Sequence, residues 1–112
     1  MSKNDLVWKA LADSTRRQIL DQLATGPRTT GELCAHFAPE ESGGLARTSV
    51  MKHLDVLVTA HLVLIRREGR TRWNDLNPAP LQRILDQWLS RTTQASARTL
   101  NRLADCASND ES

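Results

Sequence analysis

Two short runs of strand-forming residues, Val63 to Arg67 and Arg72 to Leu76, flank Glu68-Gly69-Arg70 in a chain otherwise patterned at helical spacing. Gly69 can take the positive φ of a tight turn, so the runs read as a β-hairpin with a basic tip. One hairpin among helices sets the fold class as mainly α with a small β-hairpin. The helices around it then decide the architecture.

Leu6, Val7, Ala10 and Leu11 recur at helical spacing between Asp5 and Leu11, with Trp8 beside them, and Asp13 is placed to cap the next segment. From Ser14, the residues Ile19, Leu20, Leu23 and Ala24 form the stripe of a second helix, which Gly26-Pro27 stops. Thr29, with Glu32 three residues on, is a capping box opening a short third helix with Leu33 and Phe37, ending before Pro39. Glu40 to Gly44 holds turn chemistry and nothing to bury, which predicts a mobile loop. Thr48 to Ala60 puts Val50, Met51, Leu54, Leu57 and Val58 on one helical face, with Arg47, Ser49, Lys52 and Asp55 largely on the other. After the hairpin, Pro78 and Pro80 suit a helix start. Leu81, Ile84, Leu85, Trp88 and Leu89, then Leu100 and Leu103, continue a stripe over roughly 24 residues, too long for so small a core.

Two helices joined by a short turn, the second with a donor-rich polar face, followed at once by a basic hairpin, describe a winged helix-turn-helix. With 112 residues the chain supports one modest core, expected over residues 1–107 with a disordered tail over 108–112. The 39% hydrophobic and 25% charged content argues against a mainly disordered chain. The longest apolar run, Leu62 to Ile65, is far short of the roughly 20 residues of a membrane span, and no apolar leader opens the sequence. A cytoplasmic location is expected.

The net charge of +2 hides an asymmetry. Between Gly44 and Arg72 six bases face two acids, a local excess of +4, which leaves −2 for the rest. A basic central segment in an otherwise weakly acidic small protein suits a domain that presents one face to a polyanion.

Four strings carry a resemblance: Ala12 to Leu20 (ADSTRRQIL), Arg47 to Leu54 (RTSVMKHL), Arg66 to Trp73 (RREGRTRW) and Leu76-Asn77-Pro78. In this order and spacing the chain resembles the ArsR/SmtB family of bacterial dimeric repressors over nearly its whole length. It is most similar to a subgroup with Met-Lys-His-Leu in the recognition helix, Leu-Asn-Pro after the wing and a tryptophan in the last helix, here Trp88. The resemblance implies a homodimer built by the first and last helices, with recognition helices in successive major grooves of a palindromic operator. The long C-terminal stripe independently wants a partner, and two-fold homodimers are the commonest answer. Trp8, Leu11, Leu81, Ile84, Leu85 and Trp88 are the interface candidates.

Double-stranded DNA is therefore the expected partner. Arg47 is the candidate guanine reader, because its planar fork matches O6 and N7 together. Thr48 and Ser49 offer short hydroxyls at close approach, and Lys52 extends one turn further. His53 serves either as a DNA contact or as a hydrogen-bonded tie to the core. Arg66, Arg67, Arg70 and Arg72 surround the wing tip; strand alternation forbids all four from facing DNA together, and Arg70 at the tip is the safest. Thr30, at a helix N-terminus, can donate to a phosphate or cap the helix. The chain departs from the family in its longer Pro39 to Leu45 link and in Ala46, where a Ser is common. The start of the recognition helix is thereby open by about a turn.

Cys34-Ala35-His36 stands where the family's metal sensors often carry Cys-x-Cys, but residues two apart on a helix point about 200° away from each other. No histidine follows His61, so the family's other metal site has no match. No metal or other cofactor is expected; a metal- or thiol-responsive sensor using Cys34 is the alternative, and an unknown effector is compatible with either. The chain has no Gly-rich phosphate loop, Gly-x-Ser-x-Gly or tyrosine, and enzymatic function is not expected. A winged helix serving only protein binding is the remaining class.

Overall fold

The computed structural model describes residues 2–42 and 44–93. Helix α1 (Lys3–Leu11) begins two residues before the predicted start, because Ser2 caps it: the Ser2 hydroxyl accepts from the Asp5 N–H (3.2 Å) and the Asp5 carboxylate accepts from the Ser2 N–H (3.3 Å). Helix α2 (Ser14–Ala24) is capped by Asp13, whose Oδ2 accepts from the Arg16 N–H at 3.0 Å. Its apolar stripe is Ile19, Leu20 and Leu23; Ala24, expected within it, is exposed.

A two-residue strand, β1 (Arg28–Thr29), precedes α3 (Thr30–Phe37) and was not anticipated. Thr29 caps α3 by accepting from the Glu32 N–H at 3.0 Å, while the Glu32 carboxylate lies 3.9 Å from Arg28. Glu40–Ser42 form a single 3-10 turn where a mobile loop was expected. Backbone bonds from Gly44 to the Pro39 carbonyl (2.9 Å) and from Leu45 to the Phe37 carbonyl (2.8 Å) lead the chain into α4 (Arg47–Thr59).

α4 closes with His61 at φ 61°, the left-handed position usually given to glycine. The N–H of His61 donates to the Val58 carbonyl (2.9 Å) and that of Leu62 to the Leu57 carbonyl (3.0 Å), so the chain reverses directly into β2 (Val63–Glu68). β2 pairs antiparallel with β3 (Thr71–Leu76) through a two-residue turn, Gly69-Arg70, in which Gly69 has φ 61°. β3 also pairs with β1, giving the sheet order β1-β3-β2.

Val7, Ala10, Ile19, Leu23, Leu33, Phe37, Val50, Leu54, Leu57, Leu62 and Val63 are essentially inaccessible to solvent and form the core under the helices and the base of the wing. Truncating a residue such as Leu54 to alanine costs about 2–5 kcal/mol in sites of this kind. The chain divides into two compact units, Met1–Leu81 and Gln82–Ser112. Helix α5 is helical over residues 79–93, and the Leu100 and Leu103 end of the expected stripe, Cys106 and the 108–112 tail lie outside the described residues.

Candidate nucleic-acid interface

Burial of Val50, Leu54 and Leu57 at helical spacing fixes how α4 is rotated. Arg47, Thr48 and Lys52 are left exposed, and Ser49 half-buried. The helix starts at Arg47, one residue before the expected Thr48, with Ala46 as a cap residue that offers no side-chain bond.

The register of the wing sorts its three strand arginines into two faces. Directly opposed residues share a face, so Arg66 lies with Trp73 on one side and Arg67 with Arg72 on the other. Arg66 is occupied on its own face: its Nε donates to Asp75 at 3.2 Å, its Nη1 pairs with Glu68, and its guanidinium lies 5.6 Å from the centre of the Trp73 ring. The hydrogen bond to Asp75 is the main influence raising the Arg66 pKa. The other face also carries Asn74, two residues from Arg72, and there the charge is unanswered: buried Nε and Nη2 of Arg72 have no hydrogen-bond partner among the described residues.

That second face, the start of α3 and the start of α4 enclose an open groove of about 580 Å³. Arg47, Arg67, Arg70 and Arg72 line it with Thr29, Thr30, Gly31, Met51 and Thr71, and no acid does among the described residues. Of the bases expected to act on DNA, Arg47, Arg67, Arg70 and Arg72 therefore share one surface, while Arg66 and Lys52 are not part of its lining.

Thr30 is a correction. Thr29, not Thr30, holds the capping position; Thr30 is buried, its hydroxyl accepts from Asn74 Nδ2 at 3.1 Å, which ties it to the sheet, and it lies in the lining of the groove. Asn74, fully buried, also donates to the Arg28 carbonyl (3.2 Å) and so holds the start of α3 against β3. It was missed because a polar residue at strand alternation carries no sign of a partner 44 positions away. His53, expected either to contact DNA or to tie the helix by a hydrogen bond, has Nδ1 3.3 Å from Arg16 Nη1 and 3.8 Å from Asp13 Oδ2. Asn77 of the Leu-Asn-Pro string links two elements, donating from Nδ2 to the His61 carbonyl (2.8 Å) and accepting from the Ala79 N–H (3.3 Å).

Cys34 is half-buried and His36 is exposed, its ring edge-on to Phe37 at 4.8 Å. No cluster of three or more His, Cys, Asp or Glu suited to a metal ion occurs among the described residues. Of the interface candidates, Trp8 is 52%, Leu85 45% and Trp88 61% exposed, whereas Leu11 and Leu81 are half-buried and Ile84 is buried in the single chain. None of the described helices is long and apolar enough to cross a membrane.

Residues 11–66 match the helix-turn-helix domain family. The chain is 38% identical over 104 residues to the HTH-type transcriptional regulator Rv2034 of Mycobacterium tuberculosis, covering 90% of this chain and 92% of that one. It superposes on the crystal structure of the ArsR family transcriptional regulator RHA00566 with a TM-score of 0.69 and 27% identity, over 85% of this chain and 91% of that one. The homodimeric winged helix-turn-helix DNA-binding domain of Mb0332 from Mycobacterium bovis matches with a TM-score of 0.60 and 26% identity, over 86% of this chain and 83% of that domain. With its two-stranded wing directly behind the recognition helix, the chain belongs to the ArsR family of winged helix-turn-helix transcriptional regulators.

Proposed function

We propose that the chain is a homodimeric repressor that acts in the cytoplasm on a palindromic duplex operator, within the Met51-Lys52-His53-Leu54 subgroup and without a metal cofactor. The observation that carries this reading is the groove joining Arg47 on α4 to Arg67, Arg70 and Arg72 of the wing, with no acid in its lining among the described residues. Arg47 reads a base edge, with Thr48, Ser49 and Lys52 beside it, and the wing arginines hold phosphates on either side of the groove. Exposed Trp8, Leu85 and Trp88 supply apolar surface for the second subunit.

Selection of bound duplexes from genomic fragments, followed by affinity measurement across a salt series, tests the proposal. A DNA-binding dimer gives a preferred duplex and a linear fall of log affinity with log salt. A protein-binding module gives neither. Sedimentation should show a species near twice 12.5 kDa, and Trp88→Glu should dissociate it. Binding should persist in chelator; a loss above about tenfold would restore the sensor reading at Cys34.

A further inference from the structure

We propose that Arg16, which lies outside the DNA-facing groove, is a positioning residue for the recognition helix and acts through His53. The inference rests on the DNA-binding reading above. Arg16 sits in the first turn of α2, and its guanidinium touches two other elements at once. Nε donates to the Ala10 carbonyl at 2.8 Å, one of those at the end of α1, and Nη2 donates at 2.9 Å to the Lys9 carbonyl, which also accepts from the Ala12 N–H. Nη1 then reaches His53 Nδ1 on α4 at 3.3 Å.

A guanidinium has donors only, so the contact is a hydrogen bond when His53 Nδ1 is the acceptor and the ring proton sits on Nε2. The bond therefore selects one tautomer as well as one rotamer of His53. His53 directly follows Lys52 and lies six residues from Arg47, so a tie at His53 restrains the rotation of α4 and with it the aim of both bases. Asp13 holds the other end of the linkage: its carboxylate caps the Arg16 N–H and lies 3.8 Å from the same ring nitrogen. α1, α2 and α4 are thus joined by one planar, permanently charged group. Arg17, next in sequence, supplies the control, since its Nη1 donates to the Leu11 carbonyl of α1 at 2.6 Å and it has no bond to α4 among those described.

A double-mutant cycle on the full-length protein tests this, using a duplex selected by the wild-type chain and a random-sequence duplex. Arg16→Met and His53→Leu should each weaken the selected duplex by about tenfold, with a smaller effect on random DNA, and the double variant should be no weaker than the worse single one. His53→Asn, which keeps an acceptor where Nδ1 stood, should retain most of the affinity, and Arg17→Met should leave the preference unchanged. Multiplying effects in the double variant, or His53→Asn as weak as His53→Leu, would overturn the proposal. So would losses that track only a lowered unfolding midpoint and fall equally on both duplexes. The ring-nitrogen NMR shifts of His53 in the free protein decide the structural half without DNA. They should report the Nε2–H tautomer in the wild type and a mixture in Arg16→Met; a mixture in both refutes the tie. A wild-type protein with the predicted tautomer and no duplex affinity would instead refute the functional reading.

Discussion

Arg67 and Arg72 stand directly opposite each other on the two strands of the wing, and both line the groove that begins at Arg47. Like charges at opposed positions destabilise a strand pair, so the free protein carries this arrangement at a cost that a bound phosphate would relieve. Arg67→Thr should therefore stabilise the free protein by about 0.2–1 kcal/mol in chemical denaturation. The same variant should bind duplex DNA more weakly, with a salt slope shallower by about one phosphate per subunit. A variant that is both less stable and unchanged on DNA would show that Arg67 serves the hairpin alone.

Arg66 provides the contrast. Its guanidinium is shared among Asp75, Glu68 and the Trp73 ring on the opposite face of the same hairpin. Arg66→Gln should leave the salt slope of DNA binding unaltered, whereas Arg72→Gln should reduce it; the slopes of both variants on random duplex decide the matter. A drop for Arg66→Gln equal to that of Arg72→Gln would mean that the acids release Arg66 when DNA arrives.

Arg47 should behave differently from every wing residue. Its truncation to alanine should cost about 1–3 kcal/mol on the selected duplex and relax the preference at one base pair of each half-site. Equal losses on selected and random duplexes would reassign Arg47 to a phosphate.

What was legible in the sequence was local. Asp13 and Thr29 stand one residue before helices and bond to N–H groups three positions on, and the Gly69-Arg70 turn sets the strand register by itself. Given that register, the separation of Arg66 from Arg67 and Arg72 was also within reach, because strand alternation and the nearby Glu68 and Asp75 place the acids beside Arg66. Strand β1 was not legible: two residues carry no period, and their pairing depends on β3, more than 40 positions later. The Arg16 to His53 contact spans 37 residues and the Asn74 to Thr30 contact 44, so neither leaves a sequence pattern.

Asp13 makes part of the stability pH-dependent. Partial burial pushes its pKa up, but the Arg16 backbone N–H, then the charges of His53 and Arg16 and the Thr15 N–H, outweigh this and hold it below the ordinary 3.8. A carboxyl that is more acidic in the native state adds stability that is complete above the unfolded value, near 3.8, and lost as pH falls through the lower native value. Asp13→Asn keeps a capping oxygen but has no charge to lose. Its unfolding free energy should lie below wild type at pH 6, and the gap should close as pH drops below about 4. A gap that widens in acid would reverse the sign assigned to Asp13.

Ala46 leaves the start of α4 without a side-chain cap. It occupies the cap position of α4 with backbone dihedrals of φ −69° and ψ 154°, which suit a capping side chain, but it has no oxygen to offer the N–H groups of the first turn. The Ser49 N–H leans on the Ala46 carbonyl at 3.0 Å instead. Serine fits the same dihedrals and brings an acceptor to the N–H groups of Thr48 or Ser49, so Ala46→Ser should stabilise the protein by about 0.5–2 kcal/mol. The gain falls on the turn that carries Arg47, so a firmer start also lowers the ordering cost of presenting that side chain. Amide exchange at residues 48–50 should slow, and affinity for the selected duplex should rise with the salt slope unchanged, because no phosphate contact has been added. Faster exchange together with weaker binding would mean that the helix must unwind at Arg47 to fit the groove of DNA, and that alanine at this position serves that opening.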